Sequence, residues 1–327
     1  MTKTRWGILG TGNIASQFAR GLAALDDAEL VAVGSRTAGS AQAFGERFKV
    51  PHRHDSYEAL ANNPDVDAVY VATPHTLHKD NTLLSLRAGK AVLCEKPFAI
   101  NAGQAESMIA TARERGVFLM EAMWTRFLPH MVRLRELLTA QAIGELRMLQ
   151  ADFGFRTSFN PHSRLFDLAL GGGALLDVGI YTVSLASMVF GSPERVTSMA
   201  HLGATGVDEQ SAMIFGYSGG QLALLSQAIR TNSPHEALFL GTAGKIRVHT
   251  SWWKAAPMTL SVDGRPDELI EVPAVGNGYN YEAAEVSRCL REGRGESSVM
   301  PLDETLAIMR TLDEVRAQWG LRYPDEA

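Results

Sequence analysis

The run Gly10-Thr11-Gly12-Asn13-Ile14-Ala15 constrains this 327-residue chain more than any other segment. It is a G-x-G-x-x-A loop between an apolar strand pattern, Trp6 to Leu9, and a helical one, Ile14 to Leu25. The first glycine permits a tight turn, the second lets a pyrophosphate approach the backbone, and the small third residue lets helix and strand close up. The helix N-terminus then offers free N–H groups and the positive end of its dipole to phosphates. Such a strand–loop–helix predicts a bound dinucleotide at the start of a parallel α/β domain.

The next hundred residues continue the alternation. Strands are expected at Glu29 to Ser35, Ala68 to Ala72, Ala91 to Cys94 and Val117 to Met120. Helices are expected at Ala38 to Phe48, Ser56 to Ala61, His78 to Ala88 and Asn101 to Arg115. Strands separated by helices pair in parallel through right-handed crossovers, giving a doubly wound sheet. The pattern then changes. Helices at Pro129 to Ala140 and Gly173 to Phe190 accompany alternating segments from Glu145 to Thr250 joined by short turns such as Ser218-Gly219-Gly220. Two more helices, Tyr281 to Arg291 and Leu302 to Trp319, end the chain. The expectation is α/β plus α+β: a nucleotide-binding domain over 1–122, and over 123–327 a second domain with a mixed or antiparallel open sheet. The last helix could return to the first domain.

A net charge of −5 argues against a nucleic-acid partner, which needs concentrated Lys and Arg. No apolar stretch is expected to reach the roughly 20 residues of a membrane span. The N-terminus runs almost at once into a strand, leaving no room for a signal peptide. Cys94 and Cys289 are far apart and suggest no disulfide framework. A cytoplasmic location is expected.

The second strand ends Gly34-Ser35-Arg36-Thr37, where an NAD site usually has Asp or Glu for the ribose 2′-hydroxyl. Arg36 instead offers a planar cation to a 2′-phosphate, with Ser35 and Thr37 as further donors. NADP(H) is therefore expected ahead of NAD(H). Thr73 and Pro74, at another strand end, would lie near the cofactor. His75 and His78 lack the neighbouring Cys or carboxylates of a metal site, so cofactor contact or loop packing is expected of them, and no metal.

Glu95-Lys96-Pro97 follows the strand Ala91 to Cys94, and the proline cannot continue its ladder. Lys96 is left at the carboxyl edge of the sheet, where open α/β folds place ligands. Farther on, Gly171-Gly172-Gly173 opens a nearly all-apolar helix carrying Asp177 and Tyr181, four apart and on one face. A buried Asp needs a partner, such as Lys96 or a substrate hydroxyl; it could equally cap the helix, with Tyr181 an ordinary core phenol. Were Lys96 and Tyr181 to meet, the ammonium would lower the phenol's pKa towards the range useful for proton exchange. Either residue could then be the direct proton carrier.

The Gly10–Ala15 loop, Glu95-Lys96-Pro97 and the Asp177-x-x-x-Tyr181 helix, in this order and context, resemble the Gfo/Idh/MocA oxidoreductase family over nearly the whole chain. Met120 to Phe127 and Gly173 to Tyr181 are most similar to its dihydrodiol and D-xylose dehydrogenase branch; many other members carry His in place of Tyr181. The resemblance implies a Rossmann domain, hydride transfer between nicotinamide and a sugar, polyol or vicinal diol, and a homodimer or homotetramer formed through the C-terminal sheet. It implies Lys96 and Tyr181 as catalytic, Asp177 as positioning the sugar, and Gly10, Thr11, Gly12, Asn13, Ile14 and Glu95 around the cofactor. Trp124 and Arg126 would line the nicotinamide side. Phe155, Arg156, Asn160 and Arg164 would belong to a segment covering the substrate. Two alternatives remain open: an enzyme like glucose-fructose oxidoreductase that holds NADP tightly, and a non-catalytic NADPH sensor or partner-binding protein.

Overall fold

The computed structural model of the chain describes residues 3–326. Its first part alternates strand and helix. The order is β1 Thr4–Leu9, α1 Asn13–Leu22, β2 Ala28–Gly34, α2 Ala38–Phe48, β3 His52–His54 and α3 Tyr57–Ala61. There follow β4 Ala68–Val71, α4 His78–Arg87, β5 Ala91–Glu95, α5 Ala102–Arg115 and β6 Leu119–Ala122. After α6 Pro129–Thr139 and β7 Leu146–Gly154, a π-helical turn Leu175–Gly179 runs into α7 Ile180–Phe190. Then come β8 Arg195–Leu202, β9 Asp208–Gly216, β10 Leu222–Ala228, β11 Ala237–Gly241, β12 Gly244–Val248, β13 Met258–Val262 and β14 Glu268–Ile270. The chain ends with α8 Tyr279–Arg291 and α9 Leu302–Ala317.

Two compact units result: residues up to Phe127 with Val275–Leu306, and Leu128–Ala274 with the residues from Ala307 onward. The division differs from the expected one at 122/123. The helix α8, expected in the second domain, belongs to the first, where Asn277 donates to Gln17 O at 2.8 Å and Arg291 pairs with Asp27 at 2.6 Å.

The first unit holds a six-stranded parallel sheet in the order β3-β2-β1-β4-β5-β6. Its central strands β4 and β5 are buried at every position, as a sheet covered on both faces requires. Phe18 of α1 stacks on Tyr70 of β4 at 3.7 Å and meets the edge of Trp6 of β1 at 5.1 Å, closing one helix layer onto the sheet. Chain order reverses between β1 and β4, which opens a crevice at their carboxyl ends. The edge strand β3 was not expected: His52-Arg53-His54 carries no apolar pattern, and its pairing with β2 alone makes it a strand.

The second unit holds an eight-stranded sheet, β14-β13-β12-β11-β7-β10-β9-β8. All neighbours are antiparallel except β7 and β10, so the sheet is mixed. The alternation ended too early on the sequence, at Thr250; β13 and β14 extend it. On β9, Ser211, Met213 and Phe215 are buried while Gln210, Ala212 and Ile214 are exposed. The π-helical turn and α7 lie over the buried face, close enough that a Cβ on Gly179, the last residue of the turn, would come 3.1 Å from the Gln227 side chain. Within Leu168–Phe190 a window reaches a mean hydropathy of 1.6, sufficient by length and composition for a membrane span, with 78% of it buried inside the protein. The expectation that no such stretch exists is thereby corrected: a helix enclosed on all sides by protein has the composition of one enclosed by lipid.

Candidate functional site

The carboxyl ends of β1 and β4 meet at Gly10. Its φ of +104° lies where side chains are strained, and a Cβ there would come 2.7 Å from the Ala72 carbonyl oxygen. Gly12 is different: it starts α1 without a side-chain cap, and a Cβ built on it meets nothing within 4 Å. No acidic residue lies in the first turn of α1. The open space, the glycine backbone and the unspent first-turn N–H groups fit a dinucleotide pyrophosphate. Thr11 and Ile14 are half-buried and Asn13 is exposed beside the same turn.

Arg36 is exposed at the end of β2 and hydrogen-bonds with Tyr57; burial pushes that phenol up while Arg36 acts the other way. Ser35 is buried. Thr37 caps α2 by accepting from the Ser40 backbone N–H at 3.4 Å, and its hydroxyl donates to Ser40 Oγ at 2.9 Å. Thr73 is buried, with Asn81 Nδ2 donating to its hydroxyl at 3.1 Å, while Pro74 is exposed and His75 half-buried. His78, 1% exposed, has a holding role instead of a surface one: its ring nitrogens lie 2.8 Å from Pro97 O and 2.9 Å from Thr73 O. Burial pushes its pKa down to about 4, so the neutral ring donates to one of these carbonyls and links two strand-end loops. Among the described residues no three His, Cys, Asp or Glu side chains gather as metal ligands.

Lys96 stands half-buried on the turn leaving β5. Glu95 beside it points inward and is 4% exposed. Its carboxylate accepts from the Tyr70 hydroxyl and, at 3.1 Å, from the Lys96 backbone N–H. Trp124 is buried and stacks on Tyr279 of α8 at 4.7 Å. Arg126, 3% exposed, donates to Glu304 of α9 at 2.6 Å and to Val299 O at 3.3 Å. The guanidinium expected on the nicotinamide side is thus committed to holding the last helix. Glu121, fully buried at the end of β6, is pushed up to about 7 by burial, against the pull of Arg126.

In the second unit Asp177 lies in the π-helical turn and Tyr181 one residue into α7. A wider turn of this kind, frequent at functional sites, replaces the regular helix expected from Gly173. Asp177 does not cap it. Asp208, thirty-three residues on, accepts from Leu175 N–H at 2.7 Å. Fully buried, Asp208 is pushed up to about 7, opposed by that N–H and the Ser211 hydroxyl. Asp177 pairs instead with Arg164, Nη1 to Oδ1 at 2.7 Å, from the segment expected to cover the substrate. Arg156 and Asn160 of that segment are exposed and Phe155 half-buried.

Tyr181 sits at the end of an aromatic group absent from the sequence reading. Phe153 lies 5.4 Å from its ring and stacks on Trp253 at 3.4 Å, with His235 edge-on to Trp253 at 4.7 Å. The adjacent pair Trp252-Trp253 was the one available signal. Such a group offers apolar and π surface beside a phenol.

Comparison with known proteins agrees with this architecture. Residues 4–123 match the model of an oxidoreductase family with an NAD-binding Rossmann fold, and residues 131–247 match the GFO/IDH/MocA C-terminal domain. Trans-1,2-dihydrobenzene-1,2-diol dehydrogenase of Mus musculus is 41% identical over 334 residues, covering 98% of both chains. The Homo sapiens protein of the same name is 39% identical, again with 98% of each chain covered. Among solved structures, an aldose-aldose oxidoreductase from Caulobacter crescentus complexed with glycerol has a TM-score of 0.89 at 27% identity, covering 97% of this chain and 98% of that one. A 3-ketoreductase from Actinomadura kijaniata in complex with NADP and TDP-benzene has a TM-score of 0.87 at 27% identity, with 97% and 98% covered. By sequence over its full length and by both of its sheets, this chain belongs to the Gfo/Idh/MocA oxidoreductase family.

Proposed function

We propose that the protein is an NADP-preferring oxidoreductase acting on a carbinol or carbonyl carbon of a sugar, polyol or vicinal diol. One observation carries this: the open glycine turn at the β1–β4 crevice, with exposed Arg36 where an NAD site has an acid. The relatives named as diol dehydrogenases, and the sugar-acting neighbour, support the substrate class. Solved forms of the ketoreductase include a lysine-to-alanine and a tyrosine-to-phenylalanine variant, the two residue types assigned the proton here.

Bound nicotinamide would supply the hydride acceptor or donor. The N–H groups opening α1 hold the pyrophosphate, and Arg36 pairs with the 2′-phosphate. The Tyr181 hydroxyl gives a proton to the substrate oxygen in reduction and takes it in oxidation; the Lys96 ammonium balances negative charge developing on that oxygen. Asp177 accepts from substrate hydroxyls. Phe153 and Trp253 exclude water around the phenol.

A screen of aldoses, inositols, diols and keto-sugars, followed by NADPH absorbance, tests the activity. Lys96→Met and Tyr181→Phe are expected to lower kcat by about 10²–10⁴ while sparing NADPH affinity. Arg36→Asp is expected to weaken NADPH far more than NADH. Wild-type turnover in the first two variants, or equal loss for both cofactors in the third, contradicts these roles. The aldose-aldose oxidoreductase neighbour favours a second form of the same chemistry, in which NADP stays bound and shuttles hydride between two sugars. Cofactor retained through extensive dilution would select it. With both cysteines buried and free, a reducing cytoplasmic location accords with the proposal.

A further inference from the structure

The segment beyond α9 has no place in the chemistry above, yet it is built into the second unit at several points. Gln318 donates to Val196 O at 3.0 Å and accepts from Ser198 N–H at 2.8 Å, fastening the segment to β8. Arg316, 6% exposed, donates to Asp313 at 2.7 Å and to Glu326, which in turn accepts from Tyr323 N–H at 2.9 Å. The guanidinium lies 5.4 Å over the Tyr323 ring. A phenol is thereby carried into the interior. Tyr323 is 2% exposed, and its hydroxyl donates to Gly172 O at 2.9 Å.

Gly172 is the root of two pieces of backbone. A Cβ on it would come 2.8 Å from Asp167 O and 2.9 Å from Arg164 O and Leu165 O. Its N–H donates to Asp167 O at 3.0 Å, and the next N–H, of Gly173, donates to Leu165 O at 3.0 Å. Arg164 to Asp167 are therefore wrapped on this glycine. On the other side, Asp177 N–H donates to Gly173 O at 3.3 Å and Leu175 N–H to Asp208 at 2.7 Å, which starts the π-helical turn. The Arg164–Asp177 ion pair at 2.7 Å joins the two pieces, and the Tyr323 hydroxyl holds the carbonyl at their root. A buried carbonyl stripped of its donor is costly, so the backbone at Gly172 would shift to find another.

We propose that Tyr323 is a positioning residue for the Asp177 turn: by holding Gly172 it keeps Arg164 and Asp177 paired in the orientation that receives substrate hydroxyls. The tether stands on contacts alone; its effect on substrate rests on the role proposed for Asp177. Burial, with the charge of Asp208 acting the same way, raises the phenol well above its ordinary value, so the hydroxyl keeps the proton it donates.

Tyr323→Phe keeps the ring and removes the donor. In the whole protein, hydrogen exchange read by mass spectrometry is expected to quicken over residues 163–177 and to stay as in wild type over the parallel sheet. Glu326→Gln, which weakens the clamp on the same segment, should quicken the same residues to a lesser degree. With trans-1,2-dihydrobenzene-1,2-diol and D-xylose as probes, KM is expected to rise about tenfold in Tyr323→Phe while NADPH affinity is unchanged. Asp177→Asn should raise KM by itself, and adding Tyr323→Phe should raise it no further, because the group being positioned is already gone. A merely structural Tyr323 would lower the unfolding midpoint and leave KM in place. An unchanged KM, an effect that adds in full to that of Asp177→Asn, or exchange that quickens throughout the chain overturns the proposal. Quickened exchange confined to 163–177 in a protein that oxidises neither probe would instead leave the tether standing and sink the proposed activity.

Discussion

Gly10 and Gly12 belong to one motif but answer to different forces, which separate on substitution. Gly10 is required by its own backbone, so Gly10→Ala should cost about 1–3 kcal/mol of stability in a urea titration. Gly12 has open space around it, so Gly12→Ala should leave the titration unchanged and weaken NADPH at least about tenfold, because its methyl occupies the place of the phosphates. Equal loss of stability in both variants would remove the ligand-based reason for Gly12. Asp208 carries a second residue-scale consequence. Its folded pKa of about 7 lies above its ordinary 3.8, so between those values the folded state holds a proton that the unfolded chain has released. Stability from this group is therefore fully present below about 4 and lost as pH rises through about 7. Asp208→Asn keeps an acceptor for Leu175 N–H and cannot ionise, so the fall in wild-type stability relative to the variant should concentrate in that window. Parallel curves of unfolding free energy against pH would refute it. No local pattern announced Asp208 as the cap of the Tyr181 helix, since its partner lies thirty-three residues away.

Among elements, α9 and the turn at Trp124 to Phe127 are joined by a buried ion pair, Arg126 to Glu304 at 2.6 Å with the guanidinium 4% exposed. Removing one partner strands the other, so Arg126→Ala should cost about 3 kcal/mol, and adding Glu304→Gln should recover part of it. A wild-type denaturation midpoint in Arg126→Ala would return the residue to the cofactor-facing role implied by resemblance. The helices α2, α5 and α6 were legible within a residue because caps and apolar spacing are local; Asn101, for example, accepts from Gln104 N–H at 2.8 Å to start α5. β3, β13 and β14 were not, because a short or polar strand is defined by its neighbour.

For the whole chain, the outer face of the eight-stranded sheet remains uncovered. Thr197, Ile214 and Leu224 lie in register across β8, β9 and β10, and the next rows bring Met199 beside Ala212, and Leu222 beside Met148. Met199 is 79% exposed and Ile214 50%. A contiguous apolar sheet face of this kind suits a second copy of the chain. Met199→Glu with Ile214→Lys should reduce the mass seen by light scattering to that of a monomer without loss of the folded baseline; an unchanged mass excludes this face as the interface.

Short patterns along the chain were enough to place the glycine turn, Arg36, the Lys96 strand end and the Asp177–Tyr181 pair, because each depends on the backbone geometry of fewer than ten consecutive residues. Only the tertiary structure decided what those groups face. It gave Asp177 to Arg164, Arg126 to Glu304, and the carboxyl of Glu95 to Tyr70. Burial and charge pairing act through space, and chain separation carries no information about which buried carboxyl meets which.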